Sequence, residues 1–276
     1  MCRQCDAPEW DEANKVLVFP TSHSYARGLT GTLTADFAPE FSPSITLKAV
    51  PTIKSKKHGR QQGNLADKDM SLWANDGVCL PTGKDPRFDL IRQVIKERKW
   101  TPIAAQFPVG CDELRLATKI DLIVMDMQAR VILIELKCGF DDYFDIHNQG
   151  CMKYPFEHVP VSFRNKAYLQ LMMTTYFFLH CKHRLCDYVY GGSYLLHVFE
   201  NDSGALEHSL TPLPHWTHAS PETTRQCIEV MRQSKKRNKK DCKRIAANGF
   251  KRARYNFARK QTTDGAKIHI RKIQKS

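Results

Sequence analysis

Residues 118–124 read TKIDLIV and residues 131–137 read VILIELK, and these two runs decide the fold. Both are rich in β-branched and aliphatic residues, and the stretch DMQA at 126–129 predicts a hairpin turn between them. The second run is apolar on both faces, which is typical of a central strand. The acid at 121 interrupts a run expected to be buried, where a carboxylate needs a partner or a metal ion to offset its desolvation.

The spacing of the charged residues in these runs indicates a particular chemistry. Strand geometry puts Glu135 and Lys137 on one face, with Leu136 pointing the other way. If the runs pair about the turn, Asp121 and Glu135 become neighbours, and with the backbone carbonyl of Leu136 they form an oxygen-rich site suited to Mg²⁺ or Mn²⁺. Such a metal assists phosphodiester hydrolysis, and Lys137 orients or deprotonates the attacking water. The alternative is a salt bridge at the sheet edge, between Glu135 and Lys137 or between Asp121 and Lys119.

Hydrophobic periodicity predicts the element order helix, three strands, helix, strand around these runs. The helices are expected at 86–99 and 165–180, and the strands at 103–109, 114–126, 129–138 and 188–199. Asp85 followed by Pro86 is a good start for the first of these helices. A further helix is expected around 64–74, with Asn64 as its cap, and another from 220 to about 232. This order favours an α/β sandwich.

The charge of the chain is concentrated at one end. The net charge is +13, but residues 232–276 hold 17 Lys and Arg against two acids, a net of +15, which leaves −2 for residues 1–231. A polycation binds phosphate backbones by releasing counterions, without reading sequence. The expected nucleic-acid contacts are Lys56, Lys57, Arg60, Lys235, Lys236, Arg237, Lys239 and Lys240. The alternatives for residues 235–240 are a nuclear-import signal and a solvated tail.

Composition indicates an intracellular protein in three parts. We expect an irregular N-terminal region at 1–58, a globular domain at 59–231 and a basic tail at 232–276. No apolar run reaches the ~20 residues of a membrane span, so we expect no membrane partner. The first residues lack a secretory signal pattern, and ten dispersed cysteines suit reduced thiols inside a cell. The basic tail suits a nuclear protein, including one that a virus encodes.

The motif Asp121, Glu135 and Lys137 resembles the centre of the PD-(D/E)XK nuclease superfamily, and within it the RecB-type and lambda-exonuclease-like branch. In that family an Asp on the second core strand and a Glu-x-Lys on the third form the active centre. The resemblance covers about residues 60–200 and implies a restriction-endonuclease-like core. It also implies a Mg²⁺-dependent deoxyribonuclease, an exonuclease rather than a sequence-specific endonuclease, acting in DNA recombination, repair or replication.

The resemblance extends to three further residues. Gly63-Asn64-Leu65-Ala66-Asp67 fits a family motif of the first helix with Asp in place of His, which implies that Asp67 is an extra metal ligand or a water-mediated contact. Gln170 occupies the helix on which relatives carry a glutamine that supports the lysine or contacts DNA, although the tyrosine expected four residues later is Thr174. Gln106 lies on the first strand, where relatives often place Glu. The alternative is that Asp67 is a solvated polar residue of a helix and Gln106 an amide on the surface of a strand.

Other readings of the sequence remain open beside the nuclease. A non-catalytic DNA-binding or packaging protein could keep the same fold. A zinc-dependent interaction module is a third reading, because Cys2 and Cys5, and the residues HCKHRLC at 180–186, have spacings seen among metal ligands. The aromatic loop at 140–145 is expected to stack on bases or to cover the end of the sheet.

Overall fold

The structure is a computed structural model of the 276-residue chain. It describes residues 5–12, 16–22, 24–38, 56–77, 85–139, 144–145, 150–183, 185, 187–201, 203–217 and 221–237. Only the backbone is described at 5, 56–64, 182, 221–222 and 234–237. The chain divides into two compact units, Met1–Met231 and Arg232–Ser276. No helix in the described part of the chain is long and apolar enough to cross a membrane.

The described part of the chain contains both helices and strands. The helices are α1 (Leu29–Phe37), α2 (Lys56–Asp76), α3 (Pro86–Glu97), α4 (Phe163–His180) and α5 (Pro221–Arg237). The strands are β1 (Cys5–Asp6), β2 (Glu9–Asp11), β3 (Val16–Phe19), β4 (Ser24–Tyr25), β5 (Arg27–Gly28), β6 (Thr101–Cys111), β7 (Leu116–Met125), β8 (Arg130–Cys138), β9 (Cys181–Lys182), β10 (Val189–Glu200) and β11 (Leu206–Pro212). The protein is therefore of the mixed α/β class, as the sequence predicts.

A mixed six-stranded sheet forms the centre of this unit. Its order is β11-β10-β8-β7-β5, and β6 pairs with β7 off this path. Strands β6, β7 and β8 are antiparallel neighbours, whereas β10 runs parallel to β8 after the crossover through α4. Strand β8 is thus paired on both edges, as its apolar run predicts. Two small sheets, β1-β9 and β2-β3-β4, lie outside this one.

The two faces of the sheet carry separate apolar cores. On one face, residues of α1, α4 and α5 pack with inward-facing residues such as Ile123, Leu133 and Leu195. On the other face, residues of α2 and α3 pack against Leu122, Ile134 and their neighbours. The result is a sheet covered by helices on both faces.

The predicted hairpin forms between β7 and β8. Residues 126–129 make its turn, and Asp126 stabilises it because Oδ1 accepts from the amides of Gln128 and Arg130, both at 2.9 Å. Ala129 has a φ of 58°, the left-handed conformation that closes the turn. The local sequence therefore sets the register of this hairpin.

The N-terminal region differs from expectation. Residues 1–58 were expected to be irregular, but they contain β1 to β5 and α1, and Leu29, Leu33 and Phe37 of α1 are buried in the core. These pieces are short, and each is stabilised by tertiary contacts rather than by its own periodicity. Strand β11 was not predicted from the sequence either. Its side chains are only partly buried and do not alternate between buried and exposed positions.

The helix around residue 67 is also longer than expected. Asn64 was predicted to cap it, but α2 begins at Lys56, so Asn64 lies in its interior. Helix α3 agrees with its predicted start, since the Asp85 side chain accepts from the amide of Arg87 at 2.9 Å. A capping residue type is therefore informative only where the preceding residues cannot continue the helix.

Substitution of Leu133 tests the prediction that β8 is a central strand. Its side chain is fully buried beneath α4, so Leu133→Ala is expected to lower the free energy of unfolding by about 2–5 kcal/mol through lost burial and a cavity. Equilibrium unfolding in urea measures the change. Met127→Ala in the exposed turn, where 73% of the side chain is accessible, is the control and is expected to stay within about 0.5 kcal/mol. Equal midpoints for the two variants would contradict a central β8.

Candidate active site

Strands β7 and β8 separate where the acidic residues lie. Their pairing runs from the turn to Leu122 opposite Ile134 and stops there. Farther from the turn, β7 pairs instead with β5. Strand β6 covers the opposite edge of β7 over the same residues, so β5 must occupy the edge that β8 has left. The two strands form a fork, and the residues at its opening are Asp121 on β7 and Glu135 on β8.

Asp121 lies at a break in the alternation of β7. In a regular strand Ile120 and Leu122 would share a face, yet they belong to the two opposite cores. Gln106 stands opposite Asp121, between the paired residues of β6 and β7, and has a φ of 52°. A non-glycine residue in this conformation marks a strained position held by its surroundings. The break turns Asp121 away from both cores and toward the fork.

Three groups hold this distortion in place. The Asp121 carboxylate accepts from the Leu136 amide at 2.8 Å through Oδ2, and from Gln106 Nε2 at 3.3 Å through Oδ1. On the outer edge of β6, the Asn75 side chain of α2 donates to the Ala105 carbonyl at 3.1 Å and accepts from the Ala105 amide at 2.8 Å. Gln106 therefore positions Asp121. Asn75 supports Gln106 indirectly, because it holds the backbone of the adjacent Ala105.

Glu135 is the most buried member of the site. Its side chain is 1% exposed, and Oε1 accepts from both Lys137 Nζ and Gln170 Nε2, the latter at 2.6 Å. Gln170 in turn accepts from Thr30 Oγ1 at 3.0 Å. The short β5 leads directly into α1, which brings Thr30 to the fork. Gln170 is thus the link from α4 to the acidic centre, and Thr30 is a residue that sequence reasoning missed.

Asp67 approaches the fork from α2, in the other helical layer. It is half-buried, and its charge acts on Asp121, Glu135 and Lys137. Across the described residues, no three His, Cys, Asp or Glu side chains form a group arranged to hold a metal ion. Asp67 therefore acts on the site through its charge.

The carboxylates of the site share a high affinity for protons. Burial raises the pKa of Glu135 to about 8, with a further increase from the Asp121 charge. Burial and the Asp121 charge raise the pKa of Asp67 to about 7, and burial raises the pKa of Asp121 itself. Burial alone would lower the pKa of Lys137, but the charges of Glu135 and Asp121 raise it above its usual value. Buried acids crowded in this way attract a cation.

The residues at the fork fit a divalent cation. Glu135 Oε2 is buried and has no hydrogen-bond partner within the described structure, and a buried acceptor of this kind calls for a partner. The N–H and C=O of a strand residue point to the same edge, so the Leu136 carbonyl faces the fork as its amide does. Two carboxylates and a carbonyl are suitable ligands for Mg²⁺, which retains several waters when protein-bound.

Two further residues near Lys137 were not predicted. Lys166 lies one helical turn before Gln170, and burial together with the Lys137 charge lowers its pKa to about 8. His197 stands beside Lys137 in the parallel pairing and is 3% exposed. Burial lowers the pKa of His197 to about 4, and its ring stacks between Phe144 and Phe199. In the sequence, the four-residue spacing of Lys166 and Gln170 on a predicted helix was the feature that could have indicated Lys166.

The predicted nucleic-acid contacts are only partly described. The backbones of Lys56, Lys57 and Arg60 lie in the first turns of α2, and those of Lys235, Lys236 and Arg237 lie in the last turns of α5. The positions of their side chains fall outside the described structure, as do Lys239 and Lys240 entirely. These residues remain predictions from charge.

The histidines and cysteines at 180–183 have structural contacts. His180 stacks on Tyr176 and bonds its carbonyl through Nδ1 at 2.8 Å, and His183 bonds the Phe178 carbonyl at 2.7 Å. The buried Cys181 thiol donates to the carbonyl of Gly110. Cys2 and Cys186, the other half of the zinc hypothesis, lie outside the described residues. The described members thus have packing roles that need no metal.

The described part of the aromatic loop packs onto the sheet. Phe144 is buried against the His197 ring at 4.0 Å between centroids, and Arg164 lies over its other side at 4.9 Å. Arg164 also pairs with Asp145. This agrees with a role in covering the end of the sheet. Residues 140–143, including Phe140 and Tyr143, lie outside the described structure.

Comparison with known proteins adds no identification. No protein-family model matches the chain, and no curated protein matches it. The class that the fold and site define is a mixed α/β protein with a partly buried centre of three acids and a lysine.

Proposed function

We propose that this protein is a metal-dependent DNA nuclease, with its active centre at the fork between β7 and β8. One observation carries the proposal: the hairpin brings Asp121, Glu135 and Lys137 together in a buried cluster, where Glu135 Oε2 lies without a partner among the described groups. If Glu135 and Lys137 formed only a structural salt bridge, the second acid, Asp121, and the unpaired Glu135 oxygen would only destabilise the fold. A site that binds a cation during its reaction requires both.

Mg²⁺ or Mn²⁺ held by Asp121, Glu135 and the Leu136 carbonyl would polarise the scissile phosphate and lower the pKa of an attacking water. The protein's own groups have separate tasks. The side chain of Lys137 is 22% exposed and its ammonium group lies beside the carboxylates, where it can orient water and stabilise charge that develops on the phosphate. Gln170 fixes the Glu135 carboxylate, and the Leu136 amide with Gln106 fixes that of Asp121.

The element order supports a restriction-endonuclease-like core for this proposal. Helix α3, strands β6 to β8, helix α4 and strand β10 give the order helix, three strands, helix, strand, with only the two-residue β9 of another sheet between α4 and β10. The acid lies on the second of these strands and the Glu-x-Lys on the third, at the opening of the fork. Fold alone does not assign chemistry, so the argument depends on the residues at the fork.

DNA is the proposed substrate because of the charge distribution. Residues 232–276 carry a net of +15, whereas residues 1–231 carry −2. A nearly neutral domain has little long-range attraction for a polyanion, and a polycationic segment supplies that attraction to the backbone. The resemblance to the RecB-type and lambda-exonuclease-like branch favours an exonuclease that serves recombination, repair or replication.

Digestion of end-labelled linear duplexes tests the proposal. The full-length protein with Mg²⁺ is expected to shorten linear DNA, to spare covalently closed circles and to lose activity in EDTA. Cleavage of both substrates would favour an endonuclease. DNA binding without cleavage, in Mg²⁺ or Mn²⁺, would leave the second candidate, a non-catalytic DNA-binding or packaging protein, which the charge of the tail alone supports.

Gln170→Ala probes the support of Glu135. Loss of its 2.6 Å bond frees the carboxylate to rotate, so kcat is expected to fall about 10–100-fold, the usual effect of removing a group that orients a ligand. KM for DNA should change little, because Gln170 is buried behind Glu135. Gln93→Ala on the exposed face of α3 is the matched control. A kcat within twofold of the control would contradict the positioning role.

A further inference from the structure

Trp10 is a partly exposed aromatic residue that is held against the central sheet. It lies on β2, an edge strand of the sheet β2-β3-β4, and is 39% exposed. The Nζ atom of Lys119, on β7, lies 3.8 Å from the centroid of its ring. A cation at this distance is attracted by the negative face of an indole. Because Lys119 takes one face of the ring, the accessible surface of Trp10 belongs to the other face and to the edges.

Trp10 lies on the side of the central sheet where α2 packs. Lys119 pairs with Pro108 of β6. The next residues of the two strands, Ile120 and Val109, belong to the core beneath α1, α4 and α5. Since side chains alternate along a strand, Lys119 points to the opposite side, which is the side of α2 and α3. Trp10 is on that side as well, because its ring contacts Lys119.

The pair of Trp10 and Lys119 lies close to the acidic centre. Lys119 precedes Asp121 by two positions on β7, which is about 7 Å along a strand. Asp67, on α2, approaches the fork from the same side of the sheet. The ring is therefore within reach of a nucleotide close to a phosphate bound at the fork.

The charges around the ring favour a base over a phosphate as its ligand. Glu9 and Asp11 flank Trp10 in β2, and the charge of Glu12 acts on Lys119. These acids oppose a phosphate at this position, and Lys119 is already engaged by the ring. A base is uncharged and stacks on an aromatic face whatever its identity. Stacking of this kind takes a base that is unpaired, because within a duplex both faces of a base are covered by neighbouring pairs.

We propose that Trp10 is a base-stacking platform beside the active centre, binding an unpaired nucleotide of the DNA strand that enters the fork, and that Lys119 positions its ring. The inference rests on the proposed function and deepens it, because it assigns to the same centre a substrate with a single-stranded segment. A single exposed apolar side chain needs no explanation by itself. Trp10 differs because a cation holds its ring, so that little conformational freedom is lost when a base stacks on it.

Binding of a fluorescein-labelled oligonucleotide of twelve thymidines tests the platform. It is measured by anisotropy with the full-length protein in EDTA, where no metal-dependent cleavage occurs. Trp10→Leu is expected to raise the Kd about tenfold, the usual effect of removing one stacking side chain, and Trp10→Phe should recover most of the affinity. The Kd for a blunt duplex of twelve base pairs should change little, because its internal bases cannot stack on the ring.

Substitution of Lys119 tests the positioning role. Lys119→Met keeps the length of the side chain but removes the charge at the ring, so the Kd for the oligonucleotide should rise. Lys119→Arg should restore it, because a guanidinium also binds an aromatic face. Since Lys119 acts through Trp10, the double variant of Trp10→Leu and Lys119→Met should bind no more weakly than Trp10→Leu alone.

Tyr154→Leu is the matched control, because Tyr154 is an exposed aromatic residue outside the centre. An oligonucleotide Kd for Trp10→Leu within about twofold of the control overturns the inference, as does an equal loss for the oligonucleotide and the duplex. Should Trp10→Leu fail to fold, Lys119→Met and Lys119→Arg decide by the same measurement. If the wild-type protein cleaves no DNA, a loss confined to the oligonucleotide upholds the platform while the nuclease proposal fails. Cleavage by the wild type with unchanged binding in Trp10→Leu has the opposite meaning.

Discussion

Lys137→Ala is expected to reduce the rate of DNA cleavage by about 10²–10⁴-fold, the range for loss of a group that positions a proton or stabilises a transition state. Among the described side chains, Lys137 is the cation that bonds Glu135, and its side chain is partly exposed at the fork. Its removal leaves the carboxylates in place, so metal binding should persist. The effect should therefore appear in kcat.

Lys96→Ala is the matched control for this variant. Lys96 lies in the last turn of α3 with its side chain exposed, so cleavage should equal that of the wild type. Cleavage of the end-labelled duplex at saturating DNA measures both variants. Undiminished activity in a folded Lys137→Ala variant would remove the proposed centre.

Glu135→Gln is expected to abolish cleavage and to change the stability of the protein in a metal-dependent way. The amide keeps the shape of the side chain but loses the charge that binds a cation, so activity should fall about 10³-fold, equivalent to about 4 kcal/mol in the barrier. In the wild type, Mn²⁺ at a hundred times its Kd should stabilise the fold by about 2.7 kcal/mol. In the variant, thermal unfolding should not respond to Mn²⁺.

The pH dependence of stability gives a second readout of Glu135. Burial, followed by the Asp121 charge, raises its folded-state pKa from 4.5 to about 8, so the folded protein binds the proton more tightly than the unfolded chain. The metal-free wild type should therefore be more stable below pH 4.5 with respect to this group, and should lose that contribution as the pH rises toward 8. Glu135→Gln removes this dependence and is expected to be more stable than the wild type near pH 8.

Glu157→Gln, at an exposed position, controls for both effects. Urea unfolding between pH 5 and 8 without metal, and thermal unfolding with Mn²⁺, are the measurements. A Mn²⁺ response that survives in Glu135→Gln would contradict a ligand role for Glu135, whatever the effect on cleavage.

Local sequence patterns account for the central elements of the fold. The apolar run at 131–137 predicts a strand paired on both sides, and the turn at 126–129 predicts its hairpin with β7, since both depend on residues close in the chain. The same hairpin predicts that the acids lie near each other. The spacing of Glu135 and Lys137 likewise places them on one strand face.

Other features of the site depend on residues far apart in the sequence. Regular alternation predicts that Asp121 belongs to a sheet face, whereas the break opposite Gln106, supported by Asn75, turns it into the fork. Thr30 and Gln170 are separated by 140 positions, and Gln170 and Glu135 by 35. No pattern within either segment specifies these contacts.

The sequence by itself determined which segments form the central strands and flanking helices, and which of them carry acids and a lysine. These properties follow from side-chain periodicity and turn chemistry, which act over a few residues. Only the tertiary structure decided that α1 belongs to the core and that β5 takes the edge left by β8. It also decided that α2 and α4 bring Asp67 and Gln170 to the same fork. Such contacts depend on how whole layers pack, and the packing is set by the combined burial of many distant side chains.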